Sequence, residues 1–368
     1  MLAWRAEGPR SPEARILIAM ANEMFGENTL QWVNGQTNLH VNRAGAGMIS
    51  ESELGALVDE AGYADWEIIA VAVVNGDGTI VRQARGILPD GRRMSAAMQV
   101  YGASLTKQIV TMCAAQLVKS GQLDPDLPIS AWLPELPEWG SRIRFRHLVH
   151  HLSGLPLEET LLARMDELSL NRRTSEAMLE GVATFPELIA EPGETHQYSN
   201  IGYVMMGRII EIITGSPLIE YIDSEVFQPL GMTQSRLWQG PERNPDGANP
   251  LDPQKPIPHS LGDGGMWTTA DDFTRWIGAM NADVFGVREL MMTTTTLNDG
   301  TPLDYAWGIA VSRENEVEIC SHGGGWYGSV SKSLWIPSLT AGFIAFTVTG
   351  GDALDVLSAN LRKRLTAS

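Results

Sequence analysis

The chain has 368 residues, of which 43% are apolar and 19% are charged, so we expect a packed hydrophobic core and exclude global disorder. Its formal net charge of −17 would repel phosphate groups, which argues against binding to nucleic acid or to an anionic membrane. The two cysteines, Cys113 and Cys320, are too few for a disulfide framework or a zinc site, and we expect free, buried thiols.

The N-terminal part of the sequence has no segment typical of export or of membrane insertion. Its apolar run at 16–20 is too short for a signal peptide. No run in the chain reaches the ~18 apolar residues that a transmembrane helix needs. We interpret this pattern as that of a cytoplasmic protein. Residues 1–50 have no pattern that assigns them a role, and we treat them as an N-terminal extension.

The first predicted elements follow this extension. Helical spacing of apolar residues over 51–61 precedes a β-branched stretch at 66–74. The turn NGDG and a second short strand at 79–84 come next, and together these segments predict a β-hairpin. From Tyr101 the spacing of apolar residues becomes helical again, and Gly121 ends this helix.

The C-terminal third of the sequence again predicts strands. EVEICS, SKSLWIP and GFIAFTV are strand-like, and residues 353–365 predict a closing helix. Strands at both ends of the chain with a helical middle predict an α/β (α+β) fold, in which an antiparallel sheet flanked by helices carries an inserted, mostly helical subdomain. We predict a sheet domain at 51–110 and 258–368, a helical subdomain at 111–257, and an active site between them.

The octapeptide SHGGGWYG at 321–328 raises the question of a nucleophile. A histidine followed by three glycines is typical of the oxyanion hole of lipases and esterases with the α/β-hydrolase fold. Those enzymes also need a Gly-x-Ser-x-Gly turn, because only glycine fits beside the strained serine. No serine of this chain has glycine both two residues before and two residues after it. The sequence therefore argues against a lipase of that fold.

Ser104 belongs to a different pattern, Ser-x-x-Lys, at the start of a predicted helix. Residues three apart on a helix share a face, with Cβ atoms about 5–6 Å apart, so Lys107 can reach the Ser104 hydroxyl. A serine hydroxyl is a weak nucleophile until a neighbouring group takes its proton, and a partly desolvated lysine can help to do so. The pattern also occurs by chance on solvated helices, so it is not decisive alone.

Two further segments can face the same cleft. Tyr198 and Asn200 are two residues apart in a predicted loop, where alternate side chains point the same way. A core tyrosine followed by a turn-forming asparagine would explain these residues equally well. The glycines of SHGGGWYG can bring a strand edge close to a ligand and offer N–H groups to an oxyanion.

Ser-x-x-Lys, Tyr-x-Asn and His-Gly-Gly in this order resemble the motifs of the serine β-lactamase and penicillin-binding protein superfamily. The similar branch contains class C β-lactamases, DD-peptidases, D-aminopeptidases and β-lactamase-like carboxylesterases. Residues 143–156, 192–237 and 262–273 resemble further segments of that branch, so the likeness runs from about residue 51 to the C-terminus. It implies a β-lactamase/transpeptidase-like fold.

The resemblance also implies roles for individual residues. Ser104 would be the acylated nucleophile. Lys107 and Tyr198 would share its proton as a coupled pair, and Tyr198 would later activate the deacylating water. Asn200 would hold Lys107 and the acyl group, and the backbone N–H groups of Ser104 and Gly325 would form the oxyanion hole.

His322 stands where the β-lactamases of this superfamily have the lysine of Lys-Thr-Gly. Histidine is mostly neutral near pH 7, whereas lysine is a permanent cation suited to a substrate carboxylate, so β-lactams are disfavoured as the natural substrate. Gly323 and Gly324 would belong to the substrate-binding strand. Trp326, just beyond it, would either line the acyl pocket or belong to the core.

We therefore expect a serine hydrolase that acts through an acyl-enzyme on a small ester or amide, with an ester favoured. The alternatives are a D-amino-acid peptidase or amidase, a β-lactamase, and an acyltransferase of the same fold. A non-catalytic binding protein usually lacks a catalytic residue, and Ser104, Lys107, Tyr198 and Asn200 are all present here. The expected partner is the small-molecule substrate, and the sequence does not determine the oligomeric state.

We expect no cofactor and no metal. His147, His150 and His151 form a His-x-x-His-His pattern, but no Asp, Glu or Cys nearby supplies an obvious further ligand. Asp263, Asp271 and Asp272 could be catalytic carboxylates, but roles in turns and helix caps explain them as well.

Overall fold

A computed structural model describes residues 47–170, 173–240, 244–256, 259–314, 316–348 and 351–367, with the backbone of two short strands at 30–33 and 36–39. Most of the N-terminal extension lies outside these residues. No helix within the described ranges is both long and apolar enough to cross a membrane. Cys113 and Cys320 are both free and buried, as the composition predicts.

The secondary structure of the described residues can be given in chain order. The strands are Leu30–Val33 (β1), Gln36–Leu39 (β2), Ile69–Val74 (β3), Ile80–Arg85 (β4), Val100–Tyr101 (β5), Arg236–Leu237 (β6), Met266–Thr268 (β7), Ala310–Glu314 (β8), Val317–Trp326 (β9), Ser329–Ile336 (β10) and Ala341–Thr347 (β11). The helices are Glu51–Glu60 (α1), Thr106–Lys119 (α2), Phe145–Val149 (α3), Glu158–Glu167 (α4), Ser175–Ala183 (α5), Asn200–Thr214 (α6), Leu218–Ile222 (α7), Gln228–Leu230 (α8), Ala270–Asn281 (α9), Arg288–Met291 (α10) and Gly351–Thr366 (α11). A short 3₁₀ turn, Ala103–Leu105, precedes α2.

The main sheet has the strand order β4-β3-β11-β10-β9-β8, and all of its neighbouring strands are antiparallel. Strands β3 and β4 form the predicted hairpin, with Val74 opposite Ile80. Helices flank this sheet, so the predicted fold class is confirmed. Strand β8 and a small second sheet, β5-β7-β6, do not have a counterpart among the sequence predictions.

Strand β3 shows how the sheet separates two apolar cores. Its residues 69, 71 and 73 join the cluster that contains the leucines of α11, whereas residues 70 and 72 join the cluster of α2 and α9. Successive side chains of a strand point to opposite faces, and β3 is buried on both faces, so its sequence IAVAVV is apolar throughout.

Helix α2 is the central helix of the second core and is buried almost all round, from Thr106 to Leu117. It packs against α6, which follows the predicted Tyr-x-Asn segment and ends at Gly215 in the left-handed conformation. The N-terminus of α2, the N-terminus of α6 and strand β9 therefore come together at one place. The division of the chain into a sheet domain and a helical subdomain stays a prediction.

Candidate active site

Ser104 lies in the 3₁₀ turn Ala103–Leu105 at the N-terminal end of α2, which we call the serine turn. The residue before it, Ala103, has φ of +45°, a value that is uncommon for a residue with a side chain. Two hydrogen bonds hold this turn: the Gly102 N–H donates to the Met266 carbonyl at 2.8 Å, and the Thr106 hydroxyl donates to the Ala103 carbonyl at 2.7 Å. Local strain of this kind persists only where surrounding contacts enforce it, and it often marks a functional site.

Lys107 is fully buried, with 0% exposure, and its Nζ has three oxygen neighbours. They are Ser104 Oγ at 3.1 Å, Asn200 Oδ1 at 2.9 Å and the carbonyl oxygen of Asp263 at 2.7 Å. The last two oxygens only accept hydrogen bonds. As an ammonium, Lys107 therefore donates to all three, and as an amine it donates to two and directs its lone pair at the Ser104 hydroxyl. The arrangement accommodates both charge states.

Asn200 is the first residue of α6, whose N-cap Ser199 accepts a hydrogen bond from the Gly202 N–H at 3.2 Å. The Asn200 side chain bridges Lys107 and Glu158. Its Oδ1 accepts from Lys107, and its Nδ2 donates to the Glu158 carboxylate at 2.5 Å. Because lysine only donates and a carboxylate only accepts, these partners fix the orientation of the amide. Glu158 begins α4, is exposed, and was not singled out by the sequence.

Tyr198 lies over the Lys107 amine, with Nζ 4.9 Å from the centroid of its ring. Its side chain is exposed to solvent, as 44% of the residue surface is accessible. His151 holds the backbone on both sides of it. The His151 carbonyl accepts from the Gln197 N–H at 2.9 Å, and its Nδ1 accepts from the Ser199 N–H at 3.1 Å. The two rings also contact each other, with centroids 4.3 Å apart.

His151 is therefore placed where its ring and backbone both determine the position of Tyr198. It has φ of +58°, which is a strained backbone conformation for a residue other than glycine. Burial, followed by the charge of Lys107, holds the pKa of His151 well below its usual range, so the ring is neutral. Because Nδ1 accepts, the hydrogen lies on Nε2, which is buried and has no hydrogen-bond partner among the described residues.

The other two histidines of the His-x-x-His-His pattern also hold backbone groups. His147 Nδ1 accepts from the Arg144 N–H at 3.1 Å and so caps α3. His150 Nδ1 lies 3.0 Å from the carbonyl oxygen of Tyr305, to which it donates. Each of the three rings therefore holds a backbone group in place.

His322 lies near Tyr198, with ring centroids 6.4 Å apart. Its Nδ1 is 2.5 Å from the Gly323 carbonyl oxygen, and its Nε2 is 3.0 Å from the Tyr305 hydroxyl. Burial, followed by the charge of Lys107, lowers the pKa of His322 to about 4. The ring is therefore neutral near pH 7, which agrees with the sequence interpretation, whereas its contact with Tyr305 was not predicted.

The glycine run of β9, residues 323–325, explains how this strand approaches the serine turn. A Cβ on Gly324 would overlap the carbonyl oxygen of Gly102, two residues before Ser104, so only glycine allows this approach. Strand β8 pairs with β9 only as far as Ser321 and leaves the rest of that edge free for other contacts. Gly325 is exposed, and the position of a Cβ there is open space.

Trp326 is half-buried and packs on a small apolar cluster beside the serine turn, which includes Tyr101, Ala103 and Trp267. Its Nε1 donates to the Pro256 carbonyl at 3.3 Å. Trp326 thus lies at the end of the glycine run opposite His322.

The three aspartates that could have been catalytic have different positions. Asp263 contributes its backbone carbonyl to Lys107, and burial raises the pKa of its carboxyl. Asp271 pairs with Arg82. Asp272 accepts from the Gln234 N–H at 2.7 Å and from the Ser235 hydroxyl at 2.9 Å, so its carboxylate fixes a turn.

The structure therefore brings Ser104, Asn200 and Tyr198 each into contact with the Lys107 amine and places β9 beside the serine turn. Sequence reasoning missed Tyr305 and Glu158 and gave His151 no role at the site. Glu158 and Tyr305 belong to no short motif, and only their position in the fold distinguishes them. For His151, its place in the segment at 143–156 was the available signal.

Comparison with known proteins identifies the family to which the chain belongs. The family model described as Beta-lactamase matches residues 64–343. The chain is 28% identical to penicillin-binding protein 4* of Bacillus subtilis over 61% of this chain and 55% of that protein. It is 34% identical to esterase EstB of Burkholderia gladioli over 49% of this chain and 50% of that protein. The chain thus spans about half the length of these curated relatives.

Solved structures show the same fold at low sequence identity. The octameric penicillin-binding protein homologue from Pyrococcus abyssi aligns with a TM-score of 0.69 and 22% identity, over 85% of this chain and 76% of that chain. D-amino acid amidase from Ochrobactrum anthropi SV3 aligns with a TM-score of 0.67 and 21% identity, over 85% of this chain and 98% of that chain.

Proposed function

Because the chain belongs to the beta-lactamase family, we propose that it is a serine hydrolase that cleaves a small ester or amide through an acyl-enzyme on Ser104. The observation that carries this proposal is the contact of Lys107 Nζ with Ser104 Oγ and Asn200 Oδ1 beneath the ring of Tyr198. A nucleophile, a proton acceptor and a group that orients them are the parts that covalent catalysis by serine needs.

In the acylation step, Ser104 Oγ attacks the substrate carbonyl carbon and gives its proton to the coupled pair of Lys107 and Tyr198. The backbone N–H groups of Ser104 and Gly325 stabilise the oxyanion of the tetrahedral intermediate. As the intermediate collapses, the bond to the leaving group breaks and the pair returns the proton to the departing alcohol or amine. The acyl group remains as an ester of Ser104, and Asn200 holds its position.

In the deacylation step, Tyr198 takes a proton from a water molecule that attacks the acyl-enzyme. The exposure of Tyr198 supports this role, since water reaches the residue directly from solvent. The Ser104 oxygen leaves with a proton from Lys107 and Tyr198, which restores the free enzyme.

Esters are the favoured substrates within this proposal. A neutral His322 lacks the permanent cation with which a lysine would attract the carboxylate of a β-lactam. The similarity to esterase EstB also supports an ester substrate. The second candidate is a D-amino-acid amidase or peptidase, which the structural similarity to D-amino acid amidase and the sequence similarity to penicillin-binding protein 4* favour.

The proposal is tested with p-nitrophenyl butyrate and intact-protein mass measurement. We expect an adduct of one butyryl group and steady release of p-nitrophenol, and we expect both to be lost in Ser104→Ala. Ser120→Ala, at the other end of the same helix, is the matched control and should retain both. An undiminished rate in Ser104→Ala would refute the proposal.

A parallel assay ranks the substrate classes. The same protein is given the butyrate ester, D-alanine p-nitroanilide and a chromogenic cephalosporin at equal concentrations. We expect the ester to have the highest kcat/KM. Turnover of the anilide alone would favour the amidase, and turnover of the cephalosporin alone would show that the preference for esters is wrong.

A further inference from the structure

Both ring nitrogens of His322 are engaged within the protein. A carbonyl oxygen only accepts hydrogen bonds, so the hydrogen of the neutral ring lies on Nδ1, which donates to Gly323 at 2.5 Å. Nε2 then carries a lone pair, and the Tyr305 hydroxyl at 3.0 Å donates to it. In this tautomer, His322 has no N–H group left for a substrate.

The Tyr305 hydroxyl is held firmly in this position. The residue is 8% exposed, and its backbone carbonyl accepts a hydrogen bond from His150 Nδ1 at 3.0 Å. Its ring contacts the ring of His151, with centroids 4.6 Å apart. Since the ring and the backbone are both fixed, the hydroxyl oxygen stays beside Nε2. The Tyr203 hydroxyl, which donates to the Val149 carbonyl at 2.9 Å, is a second acceptor within its reach.

The two cations that line the pocket beside His322 already have carboxylate partners, since Lys332 pairs with Asp355 and Arg362 pairs with Glu314. The Lys107 side-chain nitrogen is fully buried and has three oxygen neighbours of its own. The nearby carboxylate of Glu158, bound to Asn200, is exposed and negative. A carboxylate entering between them would lose water without gaining a donor from His322, which is costly for a charged group.

The two ends of the glycine run would contact different parts of a substrate. His322 and Trp326 lie at opposite ends of the glycine run of β9. Trp326 packs on the apolar cluster beside Ala103, and this surface would suit an apolar acyl group. An acyl group on that side places the leaving group toward His322.

Building on the proposed function, we infer that Tyr305 is a specificity-determining residue. Its hydroxyl keeps His322 as a hydrogen-bond acceptor, so the enzyme selects acyl donors with an uncharged leaving group and discriminates against a leaving group that carries a carboxylate.

Two esters with the same acyl group test this inference. They are 3-(methoxycarbonyl)phenyl butyrate, whose leaving group is uncharged, and 3-carboxyphenyl butyrate, whose leaving group is an anion near pH 7. Each kcat/KM is divided by the rate constant for hydroxide hydrolysis of the same ester, which removes intrinsic reactivity. Because a hydrogen bond to a charged group is worth about 1.5–3 kcal/mol, equivalent to about 10–150-fold, we expect the parent protein to prefer the uncharged ester at least about tenfold.

Three variants locate the cause of this preference. Tyr305→Phe keeps the ring but removes the donor, which allows the His322 hydrogen to move to Nε2, so we expect the preference to fall at least about threefold. His322→Lys supplies a cation and should reverse the preference. Tyr221→Phe removes a hydroxyl on α7 and is the matched control, with the parent's preference unchanged. The ¹⁵N shifts of the His322 ring should show hydrogen on Nδ1 in the parent protein.

The possible results are distinct. Equal hydrolysis of the two esters by the parent protein, or an equal fall for both esters in Tyr305→Phe, would overturn the assignment to Tyr305 while the proposed hydrolase stands. Failure of the parent protein to cleave either ester, with no adduct on Ser104, would overturn the proposed function and this inference together.

Discussion

The two faces of the main sheet are formed by the same strands, but their packing differs. The face toward α1 and α11 is closed by aliphatic side chains at helical spacing, of which Leu354, Leu357 and Leu361 are fully buried. The face toward α2 and α9 also has a large apolar cluster, but it buries polar side chains within it, and Lys107 and Gln108 are likewise fully buried.

The polar groups of the second face are held by specific partners. Gln108 Nε2 donates to Ser333 Oγ at 3.1 Å, and Trp276 Nε1 donates to Gln108 Oε1 at 3.2 Å. A buried polar group without a partner costs free energy, so each of these contacts restricts the geometry of its neighbours. On the aliphatic face, the side chains only have to fill the available volume. The comparison indicates that one face chiefly stabilises the fold. The other face also positions the side chains of the candidate active site, at some cost in stability.

The largest expected effect comes from a pair of variants, one on each face of the main sheet. Lys107→Met replaces the amine with an apolar side chain of similar length and should lower kcat/KM for p-nitrophenyl butyrate by about 10²–10⁴-fold. Its free energy of unfolding should change little, because removing a buried charge offsets part of the lost hydrogen bonding. Leu357→Ala should do the reverse, with unfolding destabilised by about 2–5 kcal/mol and activity per folded molecule unchanged.

Ester hydrolysis and urea unfolding of both variants at one temperature measure this prediction. A loss of activity in Leu357→Ala under conditions where it is fully folded would show that the α11 face also determines the site. A larger loss of stability in Lys107→Met than in Leu357→Ala would contradict the proposed division.

A smaller effect is expected at His151, which connects the polar face to Tyr198. His151→Phe keeps an aromatic ring but removes the acceptor for the Ser199 N–H, so Tyr198 should lose part of its alignment. We expect kcat to fall about tenfold with little change in KM. His151→Asn tolerates the left-handed backbone and keeps an acceptor, and should recover part of the loss. Equal kcat in the two variants would exclude a positioning role for the ring nitrogen.

A further expected effect concerns the pH dependence of stability and the histidines near the site. Burial lowers the pKa of His147 to about 4, below its ordinary value of 6.5. The unfolded chain therefore binds more protons in this range, so the free energy of unfolding falls as the pH decreases from about 6.5 to about 4. His150, His151, His196 and His322 act in the same direction. The raised pKa values of Asp263 and Asp272 act oppositely above 3.8.

His147→Gln isolates one of these contributions. Glutamine at this position can still accept from the Arg144 N–H and so keeps the cap of α3. The free energy of unfolding is measured with urea at pH 7, 6 and 5. In His147→Gln its dependence on pH should be shallower by up to about 1.4 kcal/mol per pH unit, which corresponds to one proton. An unchanged slope would mean that His147 binds its proton equally in the folded and unfolded chain.

The sequence by itself determined the parts of the protein that depend on local spacing. The turn NGDG between two apolar runs predicts the hairpin of β3 and β4, because its residues favour the tight connection. The three-residue spacing of Ser104 and Lys107 predicts their contact, because the helical repeat alone brings them together. The order of the three motifs determined the family, and with it the expectation that Tyr198 and Asn200 join the same site.

Only the tertiary structure decided which groups hold that site in place. Strand β8 is short and partly exposed, so its sequence lacks the alternation that marks a half-buried strand. Position 324 must be glycine because the carbonyl oxygen of Gly102 lies against it. The two residues are more than two hundred positions apart in the chain, so no local sequence pattern indicates this contact. The bonds of His151 to Ser199 and of Tyr305 to His322 likewise join segments that approach one another only when the cores on both faces of the sheet have packed.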